Sequence, residues 1–413
     1  MNLALPLNIE YKKTLNYLII AYAFCLPLSK AGTSFFEILI ILIWLYNRNF
    51  INDFYKLKES NFIIILFAFL SFSILSMLWS DNKLFAIDYI RKYWHFLIIP
   101  LIYLYLKPEF INKIFSAFLL GMLISEVTSY GIFFELWTKE GVSPNDPSPF
   151  MNHTHYSIYL AFTIFILLLR IIHTKKVVWK IPYLIFFIFS TSNLFLNGGR
   201  TGQVIFFISI ILFGFFLLRD KIKGVLIMLL LSSSTFIVAY NVSPIFKDRY
   251  YQTMHDVNKM FVEKDFTGSF SARVGLWITG LEGFIREPIL GTGIGDETVN
   301  NKELIEKRKL TSFYHNDTEY YIDYHGAFIQ YLVQLGIIGF VLFVSIFIAL
   351  IRLKIRSKKY KHLSIMFTIV FSMSCIVGDS FHNTPTMLLF ALFSGVFISL
   401  AKKDLLMRYR RCD

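Results

Sequence analysis

Apolar runs of about 20 residues recur from one end of this chain to the other, separated by short polar stretches. A helix of about 20 residues is long enough to cross a hydrocarbon core of about 30 Å, and it satisfies its own backbone hydrogen bonds in lipid. Only 17% of the residues are charged, whereas soluble proteins average about 25%. The sequence therefore predicts an all-α polytopic membrane protein that is embedded in a phospholipid bilayer.

Twelve membrane spans are predicted from these runs. They lie near 14–29, 34–47, 61–79, 93–106, 114–137, 156–172, 181–196, 203–218, 224–240, 326–351, 363–379 and 385–401. Most of the 41 Lys and Arg residues fall in segments that this arrangement places on one side. Since cytoplasmic segments carry an excess of Lys and Arg, both termini are expected in the cytoplasm. The net charge of +13 then reflects orientation in the membrane, and no nucleic-acid partner is expected.

One long segment interrupts the series between the predicted ninth and tenth spans. We therefore divide the chain into 1–240 with nine spans, 241–325 as a long outer loop, and 326–413 with three spans and a basic cytoplasmic tail. The loop is expected to be partly helical, because apolar residues of 273–284 repeat at helical spacing and Pro288 ends the pattern. Such a segment suits an enzyme working at the membrane surface better than a transporter made only of helices.

Two arginines of the outer side are candidates for binding an anion. Arg200 lies in Asn-Gly-Gly-Arg-Thr-Gly-Gln between two predicted spans, where a charge is costly unless it is paired. Arg273 and Trp277 are four residues apart, on one face of the predicted loop helix. A guanidinium keeps its charge at any working pH and offers a planar fork that suits phosphate oxygens. The alternative interpretations are an outer-loop arginine paired with lipid phosphate and a structural Arg–Trp stack.

A histidine at the membrane interface is the candidate base. His325 opens the predicted tenth span, and Gln330 and Gln334 follow on one face of the same helix. A neutral imidazole, with an ordinary pKa of about 6.5, can take a proton from a sugar hydroxyl, and the two amides could orient it or the acceptor. A structural role is the alternative. Asn152 and His155, at the start of the sixth span, are a further polar pair on the same side.

The glycine-rich run 291–295, Gly-Thr-Gly-Ile-Gly, superficially resembles a dinucleotide-binding loop. No predicted strand precedes it, so a tight turn that packs the outer segment onto the membrane domain is predicted instead. Histidines at 153, 315 and 382 are also predicted to face outward, and the sequence alone leaves the choice of base open. The three cysteines show no zinc spacing, and neither a metal nor another cofactor is expected.

Four motifs follow one another in a fixed order. They are Gly-Arg-Thr-Gly at 199–202, Arg-x-x-x-Trp at 273–277, Pro-x-x-Gly-x-Gly-x-Gly at 288–295, and His-x-x-x-x-Gln with Gly-x-x-Gly at 325–339. The ordered set resembles the O-antigen ligase family, within a superfamily that also contains O-antigen polymerases and some protein O-oligosaccharyltransferases. The sequence departs from the family pattern at Gly326, where Asn commonly follows the histidine, and at Gln334, where an acid is common.

This resemblance implies transfer of a glycan from an undecaprenyl-diphosphate carrier to a sugar of lipid A–core, with inversion at the anomeric centre. The reaction would take place on the periplasmic side of a bacterial inner membrane, in lipopolysaccharide biosynthesis, without metal or nucleotide. Carried over by position, Arg200 and Arg273 would hold the diphosphate, and His325 would be the base on the acceptor hydroxyl. Substrate contacts are expected from Trp277, Gln330, Gln334, Asn152 and His155.

Three other activities remain as alternatives. An O-antigen polymerase needs the same diphosphate clamp and base and differs only in its acceptor. A protein O-oligosaccharyltransferase is disfavoured, because no additional sizeable C-terminal domain is expected. A lipid-glycan flippase or other transporter would be expected to carry charges near the bilayer midplane and internal pseudo-repeats, which the sequence does not suggest.

Overall fold

The regular elements of the computed structural model are helices throughout the residues that it describes, which are 7–218, 220–296, 303, 307–308 and 323–402. In chain order the α-helices are α1 (Leu7–Cys25), α2 (Lys30–Asn47), α3 (Phe50–Leu57), α4 (Asn61–Leu75), α5 (Lys83–Arg91), α6 (Ile98–Tyr105), α7 (Pro108–Phe133), α8 (His153–His173), α9 (Val177–Leu196), α10 (Arg200–Leu217), α11 (Lys221–Val242), α12 (Pro244–Val262), α13 (Ser269–Arg286), α14 (Ala327–Ile351), α15 (Lys358–Val377) and α16 (Thr384–Leu400). A 3-10 helix at Ser76–Leu78 extends α4, and another at Lys92–Leu97 directly precedes α6.

Nine helices of the described residues are long and apolar enough to cross a membrane: α2, α4 with its 3-10 extension, α7, α8, α9, α10, α11, α14 and α15. A multi-pass helical architecture is thereby confirmed. The other three predicted spans coincide with α1, with Lys92–Tyr105 and with α16, and none of them is among the nine. Helix α1 carries Glu10, Lys12 and Lys13, and α16 has 17 residues, so the total of twelve stays a prediction.

The centre of the bundle is formed by α8 and α16. Every residue from Pro385 to Leu400 is buried, as expected of a helix that is apolar on all sides and packed within protein. Phe162 of α8 meets Phe393 of α16 edge to face, with ring centroids 4.7 Å apart, which is a favoured geometry for aromatic pairs. Helices α2, α9 and α11 lie at the periphery, since only 17% of each candidate span is buried.

The segment after α11 contains two further helices, α12 and α13. Ser243 joins this segment to the bundle, because its hydroxyl accepts from Phe246 N (3.2 Å) and donates to Phe195 O (2.7 Å). The helix predicted across 273–284 is present, extended to Ser269–Arg286, and Pro288 follows its end. Residues 297–302, 304–306 and 309–322, which include the candidate His315, lie outside the described residues.

Helix α14 is interrupted at Gly336, whose φ of 60° and ψ of −164° are not helical. The glycine-rich turn fills the break with backbone hydrogen bonds. Thr292 N donates to Val333 O (3.1 Å), Gly293 N to Gln334 O (2.9 Å), and Ile337 N to Pro288 O (2.9 Å). Irregular backbone at membrane depth is tolerated where protein groups satisfy it in this way.

The predicted tight turn is confirmed by its backbone geometry. Gly291, Gly293 and Gly295 have φ values of 72°, 91° and 106°, which lie in the region that favours glycine. Ile294 N donates to the Ser76 hydroxyl (3.2 Å), so the turn also contacts the 3-10 helix after α4. The 288–295 turn is therefore fixed to two parts of the bundle, the break in α14 and the 3-10 helix after α4.

Candidate functional site

The turn that carries Arg200 is built by side chains of three elements. Asn197 Oδ1 accepts from Gly199 N (2.9 Å), and Asp146 Oδ1 accepts from Gly198 N (3.2 Å). Added Cβ atoms on Gly199 and Gly202 would collide with Ser157 of α8, so these two glycines allow the helices to pack closely. The role of Gly199 and Gly202 in the structure is therefore helix packing.

Arg200 is the first residue of α10, and its guanidinium points to α12. Nη1 donates to Thr253 Oγ1 (3.0 Å) and Nη2 donates to Gln252 Oε1 (3.1 Å). Arg249, also on α12, donates from Nη1 to the same Gln252 oxygen (3.1 Å). Two guanidinium groups therefore lie side by side on one neutral acceptor.

Arg273 of α13 belongs to the same cluster. Arg200 interacts electrostatically with both Arg249 and Arg273, and also with Asp256. The Asp256 carboxylate is occupied in positioning α13, because its Oδ2 accepts from Phe270 N (3.0 Å). The structure thus brings together the two arginines that the sequence singled out and adds Arg249. A concentration of guanidinium groups of this kind is suited to phosphate oxygens.

Trp277 connects the arginine cluster to the start of α14. It lies one turn after Arg273 on α13, and its Nε1 would be 2.9 Å from a Cβ placed on Gly326. Only glycine therefore fits beside this indole, which explains in physical terms why Gly326 stands next to the histidine. The indole N–H is buried and has no hydrogen-bond partner among the described residues. A buried donor of this kind is available to a ligand oxygen.

His325 lies directly before α14, with a φ of 50° in the left-handed region. Asp323 holds both its backbone and its ring: Oδ1 accepts from His325 N (2.5 Å) and lies 3.2 Å from Nδ1. The side chain of His325 is 38% exposed, whereas that of Asp323 is 14% exposed. Burial raises the pKa of Asp323, and the neighbouring Asp379 raises it further, while His325 and His382 oppose this shift.

The α15–α16 turn packs against this histidine segment. Ala327 N donates to Gly378 O (3.2 Å), and Asp379 is close enough to Asp323 to interact electrostatically. His382 lies 3.4 Å from Asp379 and stacks on Tyr89 at a centroid distance of 3.5 Å. His382 is thereby held between a carboxylate and an aromatic ring, with Nε2 3.0 Å from Tyr89 O.

The two glutamines predicted to face the substrate are fully buried. Gln330 Oε1 accepts from Tyr324 N (2.9 Å), so it orients the backbone just before His325. The backbone carbonyl of Gln334 accepts a hydrogen bond from Gly293 N (2.9 Å) at the break in α14. Gln330 therefore supports the backbone before His325, whereas Gln334 supports the glycine-rich turn.

Asn152 and His155 lie at the start of α8, on the side of the bundle that carries the Arg200 turn. Asn152 is exposed and caps α8, with Oδ1 accepting from Thr154 N (2.8 Å). His155 is half-buried, and within the described part of the chain no hydrogen bond or ion pair joins either residue to the arginine cluster. Their neighbour His153 is the residue that reaches the Arg200 turn, through Asp146 Oδ2 at 2.6 Å.

Asp146 is a structural residue that the sequence interpretation missed. Burial alone would raise its pKa, but hydrogen bonds from His153, Gly198 N and the Ser148 hydroxyl outweigh burial and lower it. Arg249, Gln252 and Asp323 were also missed. Arg249 follows Lys-Asp and precedes Tyr-Tyr, so it resembles an ordinary solvated charge. Among these four residues, only Asp323 could have been noticed from the sequence, because it is an acid two residues before His325.

Together these residues form a cluster of three arginines and an exposed histidine backed by the Asp323 carboxylate. Trp277, one turn of α13 after Arg273, connects the two parts through its contact with Gly326. Fixed guanidinium groups stabilise negative charge that develops on a leaving group, and an oriented imidazole accepts a proton. The arrangement can therefore support displacement of an anionic leaving group by a hydroxyl.

Residues 184–344 match the family model described as O-Antigen ligase. The matched segment contains Arg200, Arg249, Arg273 and His325, and it confirms the family resemblance. No curated protein matches the chain. This match supports a membrane enzyme of the O-antigen ligase and polymerase family.

Proposed function

From the match of residues 184–344 we propose that the protein is an O-antigen ligase, which transfers a glycan from undecaprenyl diphosphate to lipid A–core. The proposal includes an inner-membrane location with both termini in the cytoplasm, twelve spans, and a periplasmic segment at 241–325 that carries the site. One observation carries it. Helix α13 places Arg273 beside Arg200 and, a turn later, Trp277 against Gly326, next to His325.

In the proposed reaction, the acceptor hydroxyl oxygen attacks the anomeric carbon of the donor sugar. The bond from this carbon to the diphosphate oxygen breaks, and the diphosphate leaves with the electron pair. Arg200 and Arg273 stabilise the charge on the departing diphosphate, while the hydroxyl proton passes to His325. Attack opposite the leaving group inverts the anomeric centre.

Asp323 supports the base in this scheme. Its contact with Nδ1 favours the tautomer that carries hydrogen there, so Nε2 keeps the lone pair that accepts the proton. The carboxylate then stabilises the imidazolium that forms. Gln330 fixes the preceding backbone through Tyr324 N, which is an orienting role, and Trp277 offers its indole N–H to the substrate.

A deletion strain tests the proposed reaction. We expect mass spectrometry to show bare lipid A–core and long glycan retained on undecaprenyl diphosphate, both reversed by the wild-type gene. Core capped with a single repeat unit would instead identify the protein as the polymerase. An unchanged profile of both lipids would contradict either transferase.

A further inference from the structure

Arg200 and Arg249 share one acceptor, the side-chain oxygen of Gln252, at 3.1 Å from each guanidinium. They come from different helices, α10 and α12, so their approach is a feature of the tertiary fold. Two positive charges that share one acceptor repel each other, and a single neutral amide oxygen offsets little of the repulsion.

Among the described residues, no carboxylate forms an ion pair with Arg200 or Arg249. The carboxylates that do form ion pairs there are paired with other basic side chains. Asp256 is near Arg200, but its Oδ2 accepts from Phe270 N at the start of α13. The pair therefore carries an excess positive charge. An anionic ligand would neutralise it.

The turn before α10 makes room for Arg249. A Cβ on Gly198 would lie 3.1 Å from Arg249 Nη2, so the absence of a side chain there lets the guanidinium approach the turn. Arg249 is half-buried, and Arg200 interacts electrostatically with both Arg249 and Arg273. Arg200 is thus the shared member of a cluster that three helices contribute.

We propose that Arg249 is a third phosphate-binding arginine of the site and that Gln252 is a positioning residue, which holds Arg200 and Arg249 next to each other for a diphosphate. This inference rests on the proposed function, since the diphosphate is that of the lipid-linked donor. Charge-assisted hydrogen bonds from planar guanidinium forks would contact oxygens of both phosphates.

Binding of inorganic diphosphate to the full chain in lipid nanodiscs tests the assignment of Arg249. We expect Arg249→Ala to weaken binding by roughly 10- to 100-fold, the value of a charge-assisted hydrogen bond. Arg249→Lys should fall between, because an ammonium keeps the charge and loses the fork. Lys247→Ala is the matched control, since Lys247 lies on the same helix, near the Tyr240 ring, and should bind as the wild type does.

Gln252→Glu separates ligand binding from a structural role. The added carboxylate would pair with both guanidinium groups, so we expect a higher melting temperature together with at least about tenfold weaker diphosphate binding. Unchanged binding in this variant, or in Arg249→Ala, would overturn the proposal.

The transfer assay keeps this outcome apart from failure of the proposed function. If wild-type protein transfers glycan and Arg249→Ala keeps the wild-type KM for the lipid-linked donor, the inference fails and the function stands. If wild-type protein does not use a lipid-diphosphate donor, the proposed function fails, whatever Arg249→Ala does to binding of inorganic diphosphate.

Discussion

Gly336→Ala tests whether the break in α14 holds the 288–295 turn in place. Its φ of 60° and ψ of −164° belong to a region that is essentially restricted to glycine, and a residue with a Cβ there costs about 1–3 kcal/mol. The new Cβ would also lie 2.7 Å from Gly291 N and closer still to Ile289 O. These are backbone atoms of the docked turn, and overpacking against them adds about 1–3 kcal/mol.

The free energy of unfolding should therefore fall by about 2–6 kcal/mol, a large part of the roughly 5–15 kcal/mol typical of a native protein. Thermal unfolding in detergent measures the loss. The control is Gly141→Ala, because Gly141 has a φ of 73° and no atom within 4 Å of an added Cβ. That variant should lose only about 1–2 kcal/mol. Equal losses in the two variants would refute the docking argument.

Three further predictions concern the site. Burial raises the pKa of Asp323, so its ionisation lowers the free energy of unfolding at any pH above its ordinary pKa. Asp323→Asn should therefore raise the melting temperature at neutral pH, yet slow transfer on the order of 100-fold. Unchanged transfer would remove the orienting role of Asp323. Gly202→Ala should lower the melting temperature, because its Cβ would collide with Ser157 O; wild-type stability would contradict the packing of α10 on α8. EDTA should leave transfer intact, whereas loss that a divalent ion restores would contradict charge stabilisation by arginines alone.

The helical architecture followed from the sequence because apolar length is a local property. Each predicted span coincides with a helix, and the glycine turn at 291–295 was predicted from its composition. The interruption of α14 at Gly336 was not, since the surrounding residues are as apolar as those of an unbroken span. It depends on a partner backbone more than 40 residues earlier in the chain, which local patterns do not reveal.

The candidate site divides in the same way. Arg200, Arg273 and His325 lie in motifs with recognisable spacing, so the sequence made them candidates. Arg249 enters the cluster only because α12 folds back against the start of α10, and its neighbouring residues give no sign of this contact. Gln330 shows the reverse case: the sequence chose the residue, and the fold turned its amide toward Tyr324 N.

Transfer by the purified protein in nanodiscs tests the central claim most directly, with undecaprenyl-diphosphate-linked glycan as donor and lipid A–core as acceptor. The account predicts that Arg200→Ala, Arg273→Ala and His325→Ala each lower the rate at least about 100-fold while the protein still inserts in the membrane. Arg286→Ala removes an exposed charge at the end of α13 and should leave the rate unchanged. Wild-type transfer by any of the first three variants would remove that residue from the mechanism, and no transfer by the wild-type protein would contradict the account.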